Sequence, residues 1–136
     1  SWASRGLGDV YKRQIIDYAY LEKKMKNTLQ AVSNHKYCDV LKNFRNSDIT
    51  YNLSFNLINM ITKKLAPCSS MFATQKKFLT KLGILERAEI LAKNMSFSKK
   101  ADIFYRIKRL IDENQMGHLF KVMFITNSKN KFNLGF

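Results

Sequence analysis

The sequence predicts an α/β fold, the C-terminal part of an open, doubly wound Rossmann-like sheet with an insertion and with its N-terminal strands missing. Three observations carry this. The apolar patterns run in the order strand, insertion, strand, helix, strand, helices, strand. The last apolar segment, HLFKVMFIT at 118–126, is apolar in both of its alternating sets, which suits a strand covered on both faces. Finally, 136 residues with 46% hydrophobic content are enough for one domain with its own core, and one Pro and five Gly leave no composition for a long linker.

Each element has its own justification. Ile15 to Tyr20, IIDYAY, reads as a short buried strand with Asp17 and Tyr18 near its C-terminal end, the end that faces the ligand crevice in open α/β sheets. Residues 21–48 are polar and basic apart from TLQAV at 28–32, and read as an irregular insertion. Ile49, Tyr51, Leu53 and Phe55 alternate, the period of a half-buried strand. Ser54 is placed to cap a helix carrying Leu57, Ile58, Ile61 and Leu65 on one face and ending before Pro67. Cys68 to Ala73 suits a further strand, with Thr74 capping a helix from Gln75 whose stripe is Phe78, Leu79 and Leu82. Gly83 bends or restarts that helix, and Ile84, Leu85, Ala88 and Leu91 continue it. Ser98 caps a last helix with Ile103, Phe104, Ile107, Leu110 and Ile111 in i, i+3, i+4 order.

Composition excludes several classes. No apolar run approaches the roughly 20 residues of a membrane-spanning helix, and the first residues lack the apolar middle of a secretory signal. The two cysteines, Cys38 and Cys68, have no paired spacing and the histidines are only His35 and His118, so neither a disulfide framework nor a metal site is expected. An intracellular protein is the expectation. Residues 1–14, SWASRGLGDVYKRQ, lack apolar periodicity, and Asp9 to Gln14 matches the translation of a transposon adapter used in sequencing libraries. They read as a non-native scar, with 15–136 as the native domain. The net charge is +14, and leaving out Arg5, Asp9, Lys12 and Arg13 brings it to +12. The basic residues fall in scattered pairs such as Lys63/Lys64 and Lys99/Lys100, the pattern of solvated helix faces rather than of a nucleic-acid groove.

Several segments, taken in order, resemble one family. IIDYAY is similar to a strand ending Ile-Asp-Tyr-Gly, NTLQAVSNHKYCDVL to an Asp-Thr-Leu-Gln-Ala segment with a following His and Tyr, and SDITYNLSF to an Asp-Leu-Thr segment. ATQKKFLTKLGILERAEIL and QMGHLFKVMFIT resemble its Thr-Gln, Phe-Leu, Leu-Gly-Ile, Arg-Ala run and its closing Met-Gly, Leu-Phe-Lys-Val strand, and Leu134 to Phe136 look like its ending. The family is MidA, the S-adenosylmethionine-dependent methyltransferases similar to the mitochondrial enzyme that methylates an arginine of a respiratory complex I subunit. The resemblance implies a class I methyltransferase fold, S-adenosyl-L-methionine as cofactor, a protein substrate, and a bacterial cytoplasmic location where eukaryotic relatives are mitochondrial. The Gly-rich turn and ribose-binding acid that such enzymes use for the donor are not visible, since Gly6 and Gly8 follow no strand. The expectation is therefore a truncated chain, inactive as it stands, with no cofactor-binding residue of its own. Ala19 stands where Gly is usual, and Asn52 and Ser54 stand where His and Asp or Asn are frequent.

Four residues are candidates for the rim of an acceptor site. Asp17 and Tyr18, at a strand end, suit orientation of an acceptor, with a loop-capping Asp and a packing Tyr as the alternative. His35, in the basic insertion, suits contact with an acceptor protein or plain solvation, and Gln75 suits either a ligand contact or support of a helix turn. No catalytic residue is assigned. A small basic nucleic-acid-binding module and a non-catalytic assembly factor are the alternative functions; salt-dependent nucleic-acid affinity, or donor binding without transfer, would favour them.

Overall fold

The computed structural model describes residues 12–42, 45–128 and 135–136. Strand β1 (Lys12–Tyr20) is followed by three short strands, β2 (Gln30–Ser33), β3 (Lys36–Cys38) and β4 (Asp48–Thr50), then β5 (Leu53–Ser54) and helix α1 (Phe55–Leu65). Strand β6 (Ser69–Thr74) leads into helices α2 (Gln75–Lys81), α3 (Ile84–Ala92), α4 (Phe97–Ile111) and α5 (Met116–Leu119), and β7 (Phe120–Thr126) closes the order. The main sheet has the order β5-β1-β7-β6. β1 runs parallel to β5 and antiparallel to β7, and β6 is antiparallel to β7 on the other side. Two strands of like direction thus flank an opposed central one.

The register settles which residues share a face, because paired residues project together and neighbours alternate. Ile15, Asp17 and Ala19 lie with Met123 and Lys121 of β7 and with Phe72 and Thr74 of β6. Phe55 and Ile58 of α1 pack on this face, where Ala19, Phe55 and Met123 form a buried cluster. The opposite face buries Ala73 and Val122 against Phe78, with Leu79 and Phe136 beside them. β7 is therefore covered from both sides, as its doubly apolar pattern requires. The Phe136 ring lies 5.3 Å from Phe78 and 6.0 Å from Phe124, so the last residue is part of this second core.

Helix boundaries follow local chemistry. Ser54 and Thr74 are the N-caps of α1 and α2, their hydroxyls accepting from the backbone N–H of Leu57 and Lys77. α1 stops at Ala66, one residue before Pro67, in extended conformation. Gly83 has φ +79°, and this left-handed residue restarts the helix as α3 rather than bending it.

Four local expectations need correction. Residues 21–48 are not irregular throughout: β2, β3 and β4 form an antiparallel sheet of order β3-β2-β4, and Ala31 is buried. The single strand expected over 49–55 is two, β4 in that small sheet and β5 in the main one, because the chain changes partners at Tyr51 and Asn52. α4 is capped by Ser96, without a side-chain bond, and Ser98 lies inside the helix. Leu57, Ile61 and Leu65 are exposed, and Phe55 and Ile58 supply the buried side of α1.

β1 pairs with β7 from Lys12 onward, so the ladder begins within the segment read as a scar. A backbone ladder accepts any residue with an N–H and a C=O, so the pairing is silent on where residues 12–14 come from.

Candidate functional site

β1 and β5 are parallel, and the chain leaves both at the same edge of the sheet, Tyr20 ending one and Ser54 the other. At that edge lies an open groove of about 440 Å³. It is lined by Tyr20, Leu53, Leu57 and Ile58, by the loop at 25–29, and by Tyr51, Asn52 and Ser54. That volume is in the range of ordinary ligand clefts.

The groove is built by short-range chemistry. Tyr20 is buried, and its hydroxyl accepts from the backbone N–H of Lys26 at 3.3 Å and faces the Met25 sulfur at 3.9 Å, so the strand's last residue anchors the loop that follows. The Thr28 hydroxyl accepts from the Asn52 N–H at 2.9 Å, tying the loop to the turn between β4 and β5. The Asn56 side-chain amide donates to the Leu21 carbonyl, which holds the loop against the first turn of α1. Within the loop the Lys26 ammonium meets the Glu22 carboxylate at 2.5 Å and lies 5.6 Å from the centre of the Tyr20 ring. That contact holds the Glu22 carboxyl below the ordinary carboxylate value. The groove therefore offers an aromatic face, a hydroxyl and an amide beside apolar side chains, and Lys26 in its lining carries the Glu22 carboxylate, which lies outside it. Asn52 and Ser54, two positions at which the sequence departs from the pattern it resembles, both line it.

None of the four residues singled out from sequence lines the groove. Asp17 faces α1, and its Oδ1 accepts from the Tyr18 N–H at 2.7 Å. The Tyr18 ring packs on Phe120 across the ladder, centroids 4.2 Å apart. Both lie on the strand end that carries Tyr20. His35 is at the exposed tip of the β2–β3 hairpin, where Asn34 (φ 50°) and His35 (φ 61°) form its two-residue turn. Gln75 is buried and its Nε2 donates to the Leu110 carbonyl at 2.9 Å, satisfying one of the acceptors that the last turn of α4 leaves free. Gln75→Ala should cost about 1–3 kcal/mol in urea unfolding, because a partly buried helix-end carbonyl loses its partner and the buried Gln75 side chain leaves a gap. Sequence reasoning missed Tyr20, Glu22, Lys26 and Thr28. The available signal was a tyrosine at the strand's exit followed at once by an acid and bases.

Lys121 is buried at 7% exposure on the α1 face, paired in register with Asp17 and Thr74, and its ammonium donates to the His118 carbonyl. Burial pushes its pKa down from the ordinary 10.5, and Glu22 partly opposes the shift. The unfolded chain then binds more protons than the native one between the depressed value and 10.5, so stability should rise with pH across that window. Lys121→Met should remove that part of the slope, read as the difference between the two proteins' urea midpoints from neutral pH to pH 10.5.

No helix among the described residues is long and apolar enough to cross a membrane. Residues 14–73 match the family described as "Putative S-adenosyl-L-methionine-dependent methyltransferase". The chain is 30% identical over 108 residues to the protein arginine methyltransferase NDUFAF7, mitochondrial, of Xenopus tropicalis, covering 79% of this chain and 25% of that protein. It is 26% identical over 126 residues to the Danio rerio protein of the same name, covering 93% and 29%. The chain thus spans between a quarter and a third of the curated relatives it matches. Among solved structures, a Burkholderia thailandensis protein bound to S-adenosyl-homocysteine superposes with TM-score 0.75 at 20% identity, over 92% of this chain and 34% of that one. An uncharacterized protein from the same organism gives TM-score 0.74 at 21% identity, over 91% and 34%. These likenesses show a shared fold, that of the expected methyltransferase sheet. Matched segment, named relatives and sheet agree, and together they support a MidA-like S-adenosylmethionine-dependent methyltransferase.

Proposed function

We propose that this chain forms the acceptor side of a protein arginine methyltransferase that uses S-adenosylmethionine. The observation that carries the reading is the groove at the shared exit of β1 and β5, in a chain whose relatives bear that activity in their names. Methyl transfer to a guanidino nitrogen needs the acceptor oriented and its proton held, which calls for polar groups fixed on a rigid element. Tyr20, Thr28 and Asn52 are such groups, fixed at a strand end that Asp17 and Tyr18 in turn secure, and the exposed Glu22 carboxylate stands beside them. His35, on the exposed hairpin tip, contacts the acceptor protein outside the groove on this reading.

The described residues do not fit the donor. Of their glycines, Gly83 follows a helix, Gly117 lies in α5 and Gly135 is next to the last residue, so no Gly-rich turn follows a strand. No donor contact is assigned to them, and turnover belongs to a polypeptide that also contains the donor-binding part; the 136-residue chain alone is inactive on this reading. The resemblance further suggests a respiratory complex I subunit as acceptor, a bacterial cytoplasmic setting, and no role for nucleic acid.

The test is a chimera in which this segment replaces the matched quarter of the Xenopus tropicalis relative. Incubation with labelled S-adenosylmethionine and an acceptor of that relative should yield methylarginine by mass spectrometry. A chimera that binds the donor as the parent does, but methylates a different residue type or none, would overturn the arginine reading.

A further inference from the structure

We infer that Tyr20 and Glu22 form a recognition site for the cationic side chain of the acceptor, an arginine guanidinium, and that Lys26 of the same chain occupies it when no acceptor is present. This inference rests on the acceptor-side reading; Tyr20 and Lys26 line the groove, and Glu22 stands beside it as the partner of Lys26.

The geometry is that of a cation site with an occupant. The Lys26 ammonium has a carboxylate at 2.5 Å and the Tyr20 ring centre at 5.6 Å, the two groups by which proteins hold cations. Tyr20 is 8% exposed and the backbone of the 25–28 loop is tied to it and to Asn52, so the receiving surface is built and stays in place when the ammonium leaves. The occupant, by contrast, is held only by an exposed i, i+4 ion pair, with 46% of the Lys26 side chain in solvent. Such pairs hold weakly and are readily exchanged.

A guanidinium suits these groups better than an ammonium. It is planar, can stack on the tyrosine face, and can meet the carboxylate with two parallel N–H donors, where lysine is a point charge. The apolar lining residues Leu53, Leu57 and Ile58 would take the methylene stem of the incoming side chain. Lys23 and Lys24 belong to the same loop. As exposed charges in salt they are screened, whereas Glu22 and Tyr20 act at contact distance.

The test needs no methyl donor, so its result stands apart from any methylation assay. The 136-residue chain, Lys26→Ala, Lys26→Gln and the double variant Lys26→Ala/Glu22→Gln are titrated with N-acetyl-arginine methylamide and with its neutral citrulline counterpart. Backbone NMR shifts are followed at Tyr20, Thr28 and Asn52. Both single variants should bind the arginine compound about three- to tenfold more tightly than the unaltered chain, a size set by one cation–π contact and one exposed ion pair. The double variant should lose that gain, and citrulline should show none of it. Equal binding of arginine and citrulline, an unchanged affinity on removing Lys26, or shifts confined to residues outside the groove would overturn the assignment.

Discussion

Phe55→Ala should cost about 3–5 kcal/mol of unfolding free energy, among the largest losses that one substitution in this chain can cause. Phe55 is fully buried and sits where α1 meets the main sheet, against Ala19 and Met123, with the Phe72 ring 6.2 Å away. Truncation removes the apolar transfer term for the whole ring and leaves a cavity that the sheet side cannot close, because Ala19 is already the smallest side chain there and Met123 is fixed in the central strand. A domain of this size has roughly 5–15 kcal/mol in total, so the variant should melt more than about 10 °C lower or be partly unfolded at room temperature. Urea unfolding followed by circular dichroism measures this. The effect should reach the groove as well, because Phe55 follows the Ser54 cap and opens the helix that carries Leu57 and Ile58. A loss below about 1 kcal/mol would mean that the α1 face of the sheet is not the core described here.

Much of this arrangement was legible in the sequence, and the exceptions share a cause. β7 was readable because it is apolar in both alternating sets, a pattern with few other solutions, and the caps Ser54 and Thr74 were readable because their hydroxyls act within three residues. α1 was readable as a helix but not in its orientation. It is apolar on more than one side, Phe55 and Ile58 on one stripe and Leu57, Ile61 and Leu65 on another, and periodicity cannot choose between two apolar stripes. The choice is made by the sheet, which takes the stripe with the phenylalanine. The break of one expected strand into β4 and β5 has the same character: alternation continues across 49–55, while the pairing partner changes in the middle.

The candidate site was less legible, because its members are brought together by contacts between segments far apart in the chain. Gln75 and Leu110 are 35 residues apart and Asn52 and Thr28 are 24 apart, and neither pairing leaves a mark in local sequence. Asp17 and Tyr18 were set at a strand end, yet Tyr18 shares its face of the strand with Tyr20, and it is Tyr20, the last strand residue, that reaches the groove. Asn52 and Ser54 drew notice as departures from a pattern, and their shared place in the groove gives that notice a physical meaning.

Gly117→Ala should cost about 3 kcal/mol, although a single methyl is added and no unusual backbone angle is involved. A Cβ at this position would fall inside van der Waals contact with the carbonyl groups of Ile111 and Asp112. These are backbone atoms at the C-terminal end of α4, so no rotamer change can make room and the two segments must separate. The same approach is what lets the Gly117 N–H donate to the Asp112 carbonyl at 2.9 Å, beside Gln115 at 3.1 Å, so separation also leaves an acceptor at a helix end without its partners. α5 runs directly into β7, and a shift of α5 therefore displaces His118, whose carbonyl holds the buried Lys121 ammonium. Gly83→Ala is the informative control. Its added Cβ meets only the Glu86 side chain at 3.4 Å, so its cost comes from the left-handed φ of +79° alone, about 1–2 kcal/mol. If urea unfolding ranks Gly117→Ala well above Gly83→Ala, close approach of α5 to α4 sets the height at which Lys121 enters the sheet. If the ranking is reversed, the α4–α5 corner is free to yield, and the burial of Lys121 must be fixed from the strand side, by Asp17 and Thr74.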